Sequence, residues 1–333
     1  MSGRVNGLLW RAMVAYALCA AVAAGQALAQ TSARSTSRGV FEHDVVEVKP
    51  TGGTITSVEV DNRLGEVRIQ GRDSEHVTIA AVKRAHDRET LDRLKVTLIT
   101  DPNGPVRIST RITAGRRAKP IPNGSVRIDL IIHAPRSAAV NARVWNDKLE
   151  VSGMENGAAL NAHAGDIAVQ NMLGTVVTHS LSGKQNFVDI FGAVDAQAIA
   201  GDMDLVIVRG KRLDARVHEG DIKGRQVQVR ELSLRTTKGN IRLQGIAVAG
   251  GRYRINSYRG NIEVRLGHTV PLSVQARSHS GRVTLPARLR ARADDRGALV
   301  GSLSAGRPER NTDQPALIEL RSRMGNIQFA VIE

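Results

Sequence analysis

Asp166, Asp202, Asp221, Asn240 and Asn261 each follow a glycine, and carboxylates that recur at one position of a repeat are a first candidate for holding a cation. Calcium takes about six to eight oxygens, and the β-rolls that bind it use a Gly-Gly-x-Gly-x-Asp nonapeptide. That nonapeptide is absent here, whereas Asp and Asn favour tight turns on their own account, so the turn reading is preferred. His163, His218 and His279 stand two residues before such glycines. Neighbours in that set lie three repeats apart, about 14 Å if each repeat advances one strand spacing, while zinc needs its nitrogens at about 2 Å. They read as surface histidines. Asp202 with Asp204, or Asp294 with Asp295, could be proposed on charge alone as glycosidase carboxylates, and nothing in the local sequence supports either. No Gly-x-Ser-x-Gly elbow and no phosphate-cradling loop occurs. The expectation is no catalytic, cofactor-binding or metal-binding residue, no cofactor, and no enzymatic activity.

Charge is more informative. The chain carries 47 Lys and Arg against 32 Asp and Glu, a net +15. The excess is uneven: residues 140–208 hold 3 basic and 8 acidic residues, whereas 209–265 hold 14 and 5. The third position after successive glycines reads Asp204, Lys223, Arg242, Glu263, so Asp204–Lys223 and Arg242–Glu263 are expected to pair, each worth under about 1 kcal/mol if exposed. Arg216 over Arg235, Lys238 over Arg259, and Arg225 near Arg265 have no acidic neighbour in the repeat. Like charges so placed repel unless an anion intervenes. These six residues are the candidate anion-binding positions. Arginine grips phosphate and carboxylate in a bidentate fashion, so the expected partner is an anionic polysaccharide, a lipid phosphate or another envelope polymer. Aromatics make up 3% of the chain, too few for base stacking, and sequence-specific nucleic-acid binding is not expected.

Such stacks require a fold that returns the chain to the same place at every repeat. The motif Gly-[Asp/Asn]-hydrophobic-x-hydrophobic recurs at Gly165, Gly183, Gly201, Gly220, Gly239, Gly260 and Gly281, with spacings of 18 to 21 residues. Seven before the glycine stand Val176, Val194, Leu213, Leu232, Tyr253 and Val274, and five before stand Thr178, Ala196, Ala215, Leu234, Ile255 and Ala276. Small residues such as Ala198 and Ser257 come three before, and Asn161, His179, Gln197, Arg216, Arg235, Asn256 and Arg277 four before. Period-two alternation means strand, and it resumes after the glycine. The register extends to Gly65 and Gly325, with Asp147 in a glycine's place, and Gln185 and Gly224 break it, so bulges are expected there. A unit of about 20 residues cannot bury its own strands; stacked copies can. The predicted fold is an all-β, single-chain β-solenoid (β-helix) with rungs of about 18–21 residues and a second corner near Gly174 and Gly192.

Residues 1–29 carry Arg4 and Arg11, an apolar run Ala12–Ala24 and Ala27-Leu28-Ala29, the layout of a secretory signal peptide with cleavage after Ala29. Cleavage removes Cys19, the only cysteine, so neither disulfide nor thiolate chemistry is expected of the mature chain. No transmembrane segment is expected in it, and its place is the periplasm or the extracellular cell envelope. The expected organisation is a flexible N-terminal segment at 30–44, an N-terminal β section with longer, irregular coils at 45–139, and a regular solenoid at 140–333 with an exposed insertion at 286–315. Within 45–139, strand-like runs fall at His76–Val82, Leu94–Thr100, Val106–Ile112 and Val126–His133, with a helical turn at Asp87–Leu94.

The run Ile128-Asp129-Leu130-Ile131-Ile132-His133-Ala134-Pro135, leading into Val140–Val151 and then serial Gly-Asp-Ile or Gly-Asn-Ile rungs, resembles the bacterial putative-adhesin family, a domain of unknown function built from β-repeats. The likeness covers about residues 45–333. It implies an exported, envelope-associated or secreted β-solenoid with no established catalytic residues, and it transfers no site. Together these readings describe an adhesin-like or scaffold module that contacts anionic polymers through a basic slab at 209–265. The rivals are a polysaccharide lyase or hydrolase on a parallel β-helix, and a structural protein that self-associates through its coil ends.

Overall fold

The computed structural model describes residues 27–36, 39–49, 54–101, 104–113, 121, 124–289, 291–293, 299–303 and 314–332. Residues 1–26 of the expected leader lie outside them, as do Asp294 and Asp295. The chain begins with β1 (Ala27–Thr36), β2 (Gly39–Val48), β3 (Ser57–Asn62), β4 (Val67–Arg72) and β5 (Val77–Ala85). Helix α1 (Arg88–Arg93), capped by the Asp87 carboxylate on the Thr90 N–H at 2.7 Å, leads to β6 (Leu94–Thr100), β7 (Pro105–Ile112) and β8 (Arg127–Pro135). Then come β9 (Ala139–Val144), β10 (Leu149–Ser152) and β11 (Ala158–Ala164). Four long bent strands follow: β12 (Ile167–Ser182), β13 (Gln185–Ala200), β14 (Met203–Glu219) and β15 (Ile222–Lys238). The chain ends with β16 (Ile241–Ala247), β17 (Arg252–Arg259), β18 (Ile262–His268), β19 (Leu272–Ser278), β20 (Val283–Thr284), β21 (Arg292–Ala293), β22 (Leu299–Leu303), β23 (Ala316–Met324) and β24 (Ile327–Ile332).

Two mostly parallel ladders enclose one interior. The ladder of strands that precede the turn runs β7, β3, β9, β11, the second halves of β12 to β15, then β17, β23 and β19. The ladder that follows the turn runs β8, β4, β10, the first halves of β12 to β15, then β16, β18, β24 and β20. Val194, Leu213 and Leu232 stack in register and are buried, as are Ala196, Ala215 and Leu234 beside them. A single apolar core extends from Val48 to Phe329. Each fully buried Leu or Val in such a ladder contributes about 1.5–3 kcal/mol. The fold is the β-solenoid that the spacing predicts.

The turn glycines are required by contact as much as by backbone angle. Gly201 has φ +129°, and a Cβ there would sit 2.1 Å from the carbonyl oxygen of Gly183 in the rung beneath; Gly260 would meet Gly239 O at 1.9 Å. The Asx residue after each glycine reaches one rung along the stack. Asp202 Oδ1 accepts from Asp221 N (2.9 Å), Asp221 Oδ1 from Asn240 N (2.8 Å), Asn240 Oδ1 from Asn261 N (2.9 Å), and Asn261 Oδ1 from Asn326 N (2.8 Å). Small hydroxyl residues three before the glycine do related work: Thr236, Ser257 and Ser322 donate to the carbonyls of Gly220, Gly239 and Gly260. The second corner bends at Asn171, Asp189, Ile207 and Gln226, all with φ between 51° and 57°.

Four regions differ from the sequence reading or add to it. Residues 30–44 are not a loose lead-in but fall largely in β1 and β2, antiparallel to each other, with β2 on β5 and β5 on β8. The stacking order is not the chain order at the C-terminal end: β23–β24 (Gly325) lies between β17–β18 (Gly260) and β19–β20 (Gly281). The described parts of 286–315 are mostly exposed, as expected of an insertion, but Leu289 is buried and β22 runs antiparallel on β19. Gln185 causes no bulge; it is buried in register, accepting from Thr178 Oγ1 at 2.7 Å and donating to Gln197 O at 2.9 Å. The expected irregularity at Gly224 is present, as a register shift between Gly224 and Val227.

Candidate functional site: an outward groove along the stack

Because side chains alternate across a strand, the rows four and two before the turn residue share the outer face, about 6.5 Å apart. They border a groove of about 1200 Å³ that spans nine rungs from Trp145 to His279. At one strand spacing per rung it is about 38 Å long. The row four before the turn runs Arg143, Asn161, His179, Gln197 over the first four rungs. It continues as Arg216, Arg235, Asn256, Arg321, Arg277. The row two before the turn begins Trp145, His163, Leu181, Ile199 and goes on through His218, Thr237 and Tyr258 to Arg323 and His279. Trp145, Leu181, Ile199 and Tyr258 are 40%, 44%, 53% and 42% exposed. None of the lining residues is Asp or Glu.

The two halves of the groove differ. The first four rungs hold one arginine, Arg143, with Trp145, Leu181 and Ile199 interrupted by His163 on one row and Asn161, His179 and Gln197 on the other. The last five gather Arg216, Arg235, Arg321, Arg277 and Arg323. Arg216 is held by Asp214, Nη2 to Oδ2 at 2.7 Å, and Arg321 by Glu319. Among the described residues Arg235 and Arg277 have no ion pair, and the Arg323 guanidinium lies 5.1 Å from the Tyr258 ring centroid. At the other end Trp145 contacts the His163 ring at 5.1 Å, with Arg63 at 5.8 Å.

The six candidate anion-binding residues do not form one patch. Arg216 and Arg235 stack as expected and both line the groove. Lys238 and Arg259 also stack, but at the glycine corner, and Lys238 has the acidic neighbour denied to it, Glu219, directly beneath. The Lys238 ammonium beside it holds the Glu219 carboxyl below the usual carboxylate range. Arg225 and Arg265 lie on the other ladder, two rungs apart with β16 between them. Arg265 pairs with Glu263 at 2.6 Å. Of the expected cross-rung pairs, Arg242–Glu263 forms at 3.8 Å, whereas Asp204 turns to Lys184 at 3.2 Å instead of Lys223.

Arg277, Arg321 and Arg323 were missed as site residues, because the chain order hides that β23 enters between β17 and β19. The four-before row itself was visible as a row of large polar residues. His163, His218 and His279 all line the groove, three and four rungs apart, and among the described residues no three His, Cys, Asp or Glu cluster as a metal site. Asp202 serves the Asx ladder and Asp204 its lysine. The groove therefore has no carboxylate pair with which to protonate and attack a glycosidic bond.

Residues 55–310 match the family model Toastrack DUF4097. The chain belongs to that family. Solved structures with a similar course include a "putative adhesin" from Bacteroides fragilis, 10% identical over 87% of this chain and 97% of its own, with a TM-score of 0.40. A "putative adhesin" from Parabacteroides distasonis is 7% identical over 92% and 97%, with a TM-score of 0.38. A "putative lipid binding protein" from the same species is 12% identical over 87% and 97%, with a TM-score of 0.41. Likeness at this level assigns no residue of Toastrack DUF4097 a role. No curated protein matches the chain. Among the described residues no helix is long and apolar enough to cross a membrane.

Proposed function

We propose that this Toastrack DUF4097 protein is an exported, non-enzymatic binding module of the cell envelope that holds an elongated anionic ligand along the outer groove. The observation that supports this reading is the lining: five arginines over five consecutive rungs and no carboxylate among the lining residues, with Asp214 and Glu319 beside it holding only Arg216 and Arg321. A solvated face laid out for solubility alone mixes signs. Contact repeated along the stack makes the binding multivalent, so affinity accumulates along the ligand instead of resting on one pocket. The basic slab expected at 209–265 contributes Arg216 and Arg235, and the wedged β23 and its neighbour β19 extend it.

The test is retention of the mature protein on immobilised dextran sulfate against neutral dextran. Binding to the sulfated matrix alone, weakening steeply as salt screens the charges, is the expected result. The double variant Arg235→Glu with Arg277→Glu should abolish it without changing the thermal midpoint, because both side chains are outward. Unchanged retention would leave the groove's charge without a function.

A further inference from the structure

We infer that the ligand of this groove is a single linear acidic polysaccharide lying along the stacking axis. Its charged sugars are gripped by the arginines of the last five rungs, and its ring faces pack on the apolar row that ends at Trp145. This rests on the reading of the groove as the anion site. What selects among anions is the other half of the groove, which has little charge.

Over the first four rungs the two rows present unlike chemistry side by side. Trp145, Leu181 and Ile199, with His163 among them, form one wall, while Asn161, His179 and Gln197 follow Arg143 along the other. A pyranose has the matching division, with C–H faces that pack on apolar surface and hydroxyl edges that exchange hydrogen bonds with amides and imidazoles. A hydrocarbon tail laid in the same track would cover Asn161, His179 and Gln197 without satisfying them, which disfavours it. A polymer with a phosphate at every unit would meet only Arg143, and Arg63 beside Trp145, along this stretch of about 14 Å. The residues between the rows, Ala162, Ser180 and Ala198, turn their side chains inward and are buried, so the floor between the rows is strand backbone. In the other half Arg235 and Arg277 have no ion pair among the described residues, and a guanidinium takes a uronate carboxylate in bidentate fashion.

Titration calorimetry on the mature protein with linear oligogalacturonates of graded length decides the matter. Phosphatidylglycerol vesicles, a duplex DNA fragment and neutral malto-oligosaccharides are the parallel arms. Affinity should rise with chain length until the chain spans the groove, and exceed that for vesicles, DNA and neutral sugar. Trp145→Ala should weaken the longest oligomer about tenfold, leave the shortest binder unchanged, and be rescued by Trp145→Phe. Arg235→Glu with Arg277→Glu should weaken every length. Tighter binding to vesicles or DNA, no growth of affinity with length, or indifference of the long oligomer to Trp145→Ala would each overturn the inference while leaving the anion site standing. Indifference of every anionic probe to the double charge reversal would overturn the anion site itself.

Discussion

From Gly165 to Gly260 the rungs stack in the order in which the chain makes them; at the two ends they do not. β3–β4 lies inside β7–β8, and β23–β24 lies inside β19–β20, so each end is closed by strands placed out of sequence. Antiparallel strands then cover the outer edges: β6 on β7, β5 with β2 and β1 on β8, and β22 on β19. The contrast teaches that a repeat dictates what faces inward everywhere, but dictates neighbours only where stacking is sequential. Three of the four ladder edges are thereby kept from pairing with further copies, while β20 has no such cover among the described residues.

The sharpest break of that contrast is a buried charge. Ile241→Asp, in the interior, places an unpaired carboxylate in the core and should unfold the chain, whereas Val283→Asp on the end rung, half-buried already, should leave a cooperative thermal transition. The next largest effect concerns the glycine column. Gly201→Ala should cost about 3–4 kcal/mol in urea unfolding, because rungs on both sides forbid the carbonyl beneath from moving. Gly281→Ala meets the Gly325 carbonyl at 2.2 Å, yet its rung is the last and can lift, so it should cost less than half as much.

A smaller effect of opposite sign comes from the second corner. Ile207 is β-branched at φ +57°, a strained placement, and Ile207→Asn or Ile207→Gly should raise stability by about 1 kcal/mol. The smallest is a pH effect. A hydrogen bond from Lys148, aided by its charge and that of Arg68, holds the Glu150 carboxyl below its ordinary range against the opposing effect of burial. A depressed carboxyl contributes stability above its unfolded value and loses it as pH falls through the folded one. Lys148→Met should therefore flatten the acid limb of the melting temperature against pH.

Much of this was legible because inward rows are a one-dimensional signal. Val194, Leu213 and Leu232 share an offset, and any coil that returns every 18 to 21 residues must bury them together. The turn chemistry of Asp202 to Asn261 was legible for the same reason. The site was legible in part: the four-before row with Arg216 and Arg235 is periodic, but the groove also needs the two-before row, where Trp145, Leu181, Thr237 and Arg323 share no residue type. Pairing was the least legible. Whether Lys238 meets Glu219, or Asp204 meets Lys184 instead of Lys223, depends on which way long side chains lean, and no spacing encodes that. The place of β23 depends on which edge is left open after β17, which is a property of the assembled stack.

That placement makes the groove continuous, since Arg321 must stand between Asn256 and Arg277 for the arginines to line one wall. Cleavage of the leader would leave a chain without cysteine, so paired cysteines report on neighbours cleanly. Asn256→Cys with Arg321→Cys, on strands in direct register, should form a disulfide on mild oxidation, and Asn256→Cys with Arg277→Cys, two rungs apart, should not. Cross-linking of the second pair in place of the first would mean that the stack follows chain order and that the groove described here does not exist.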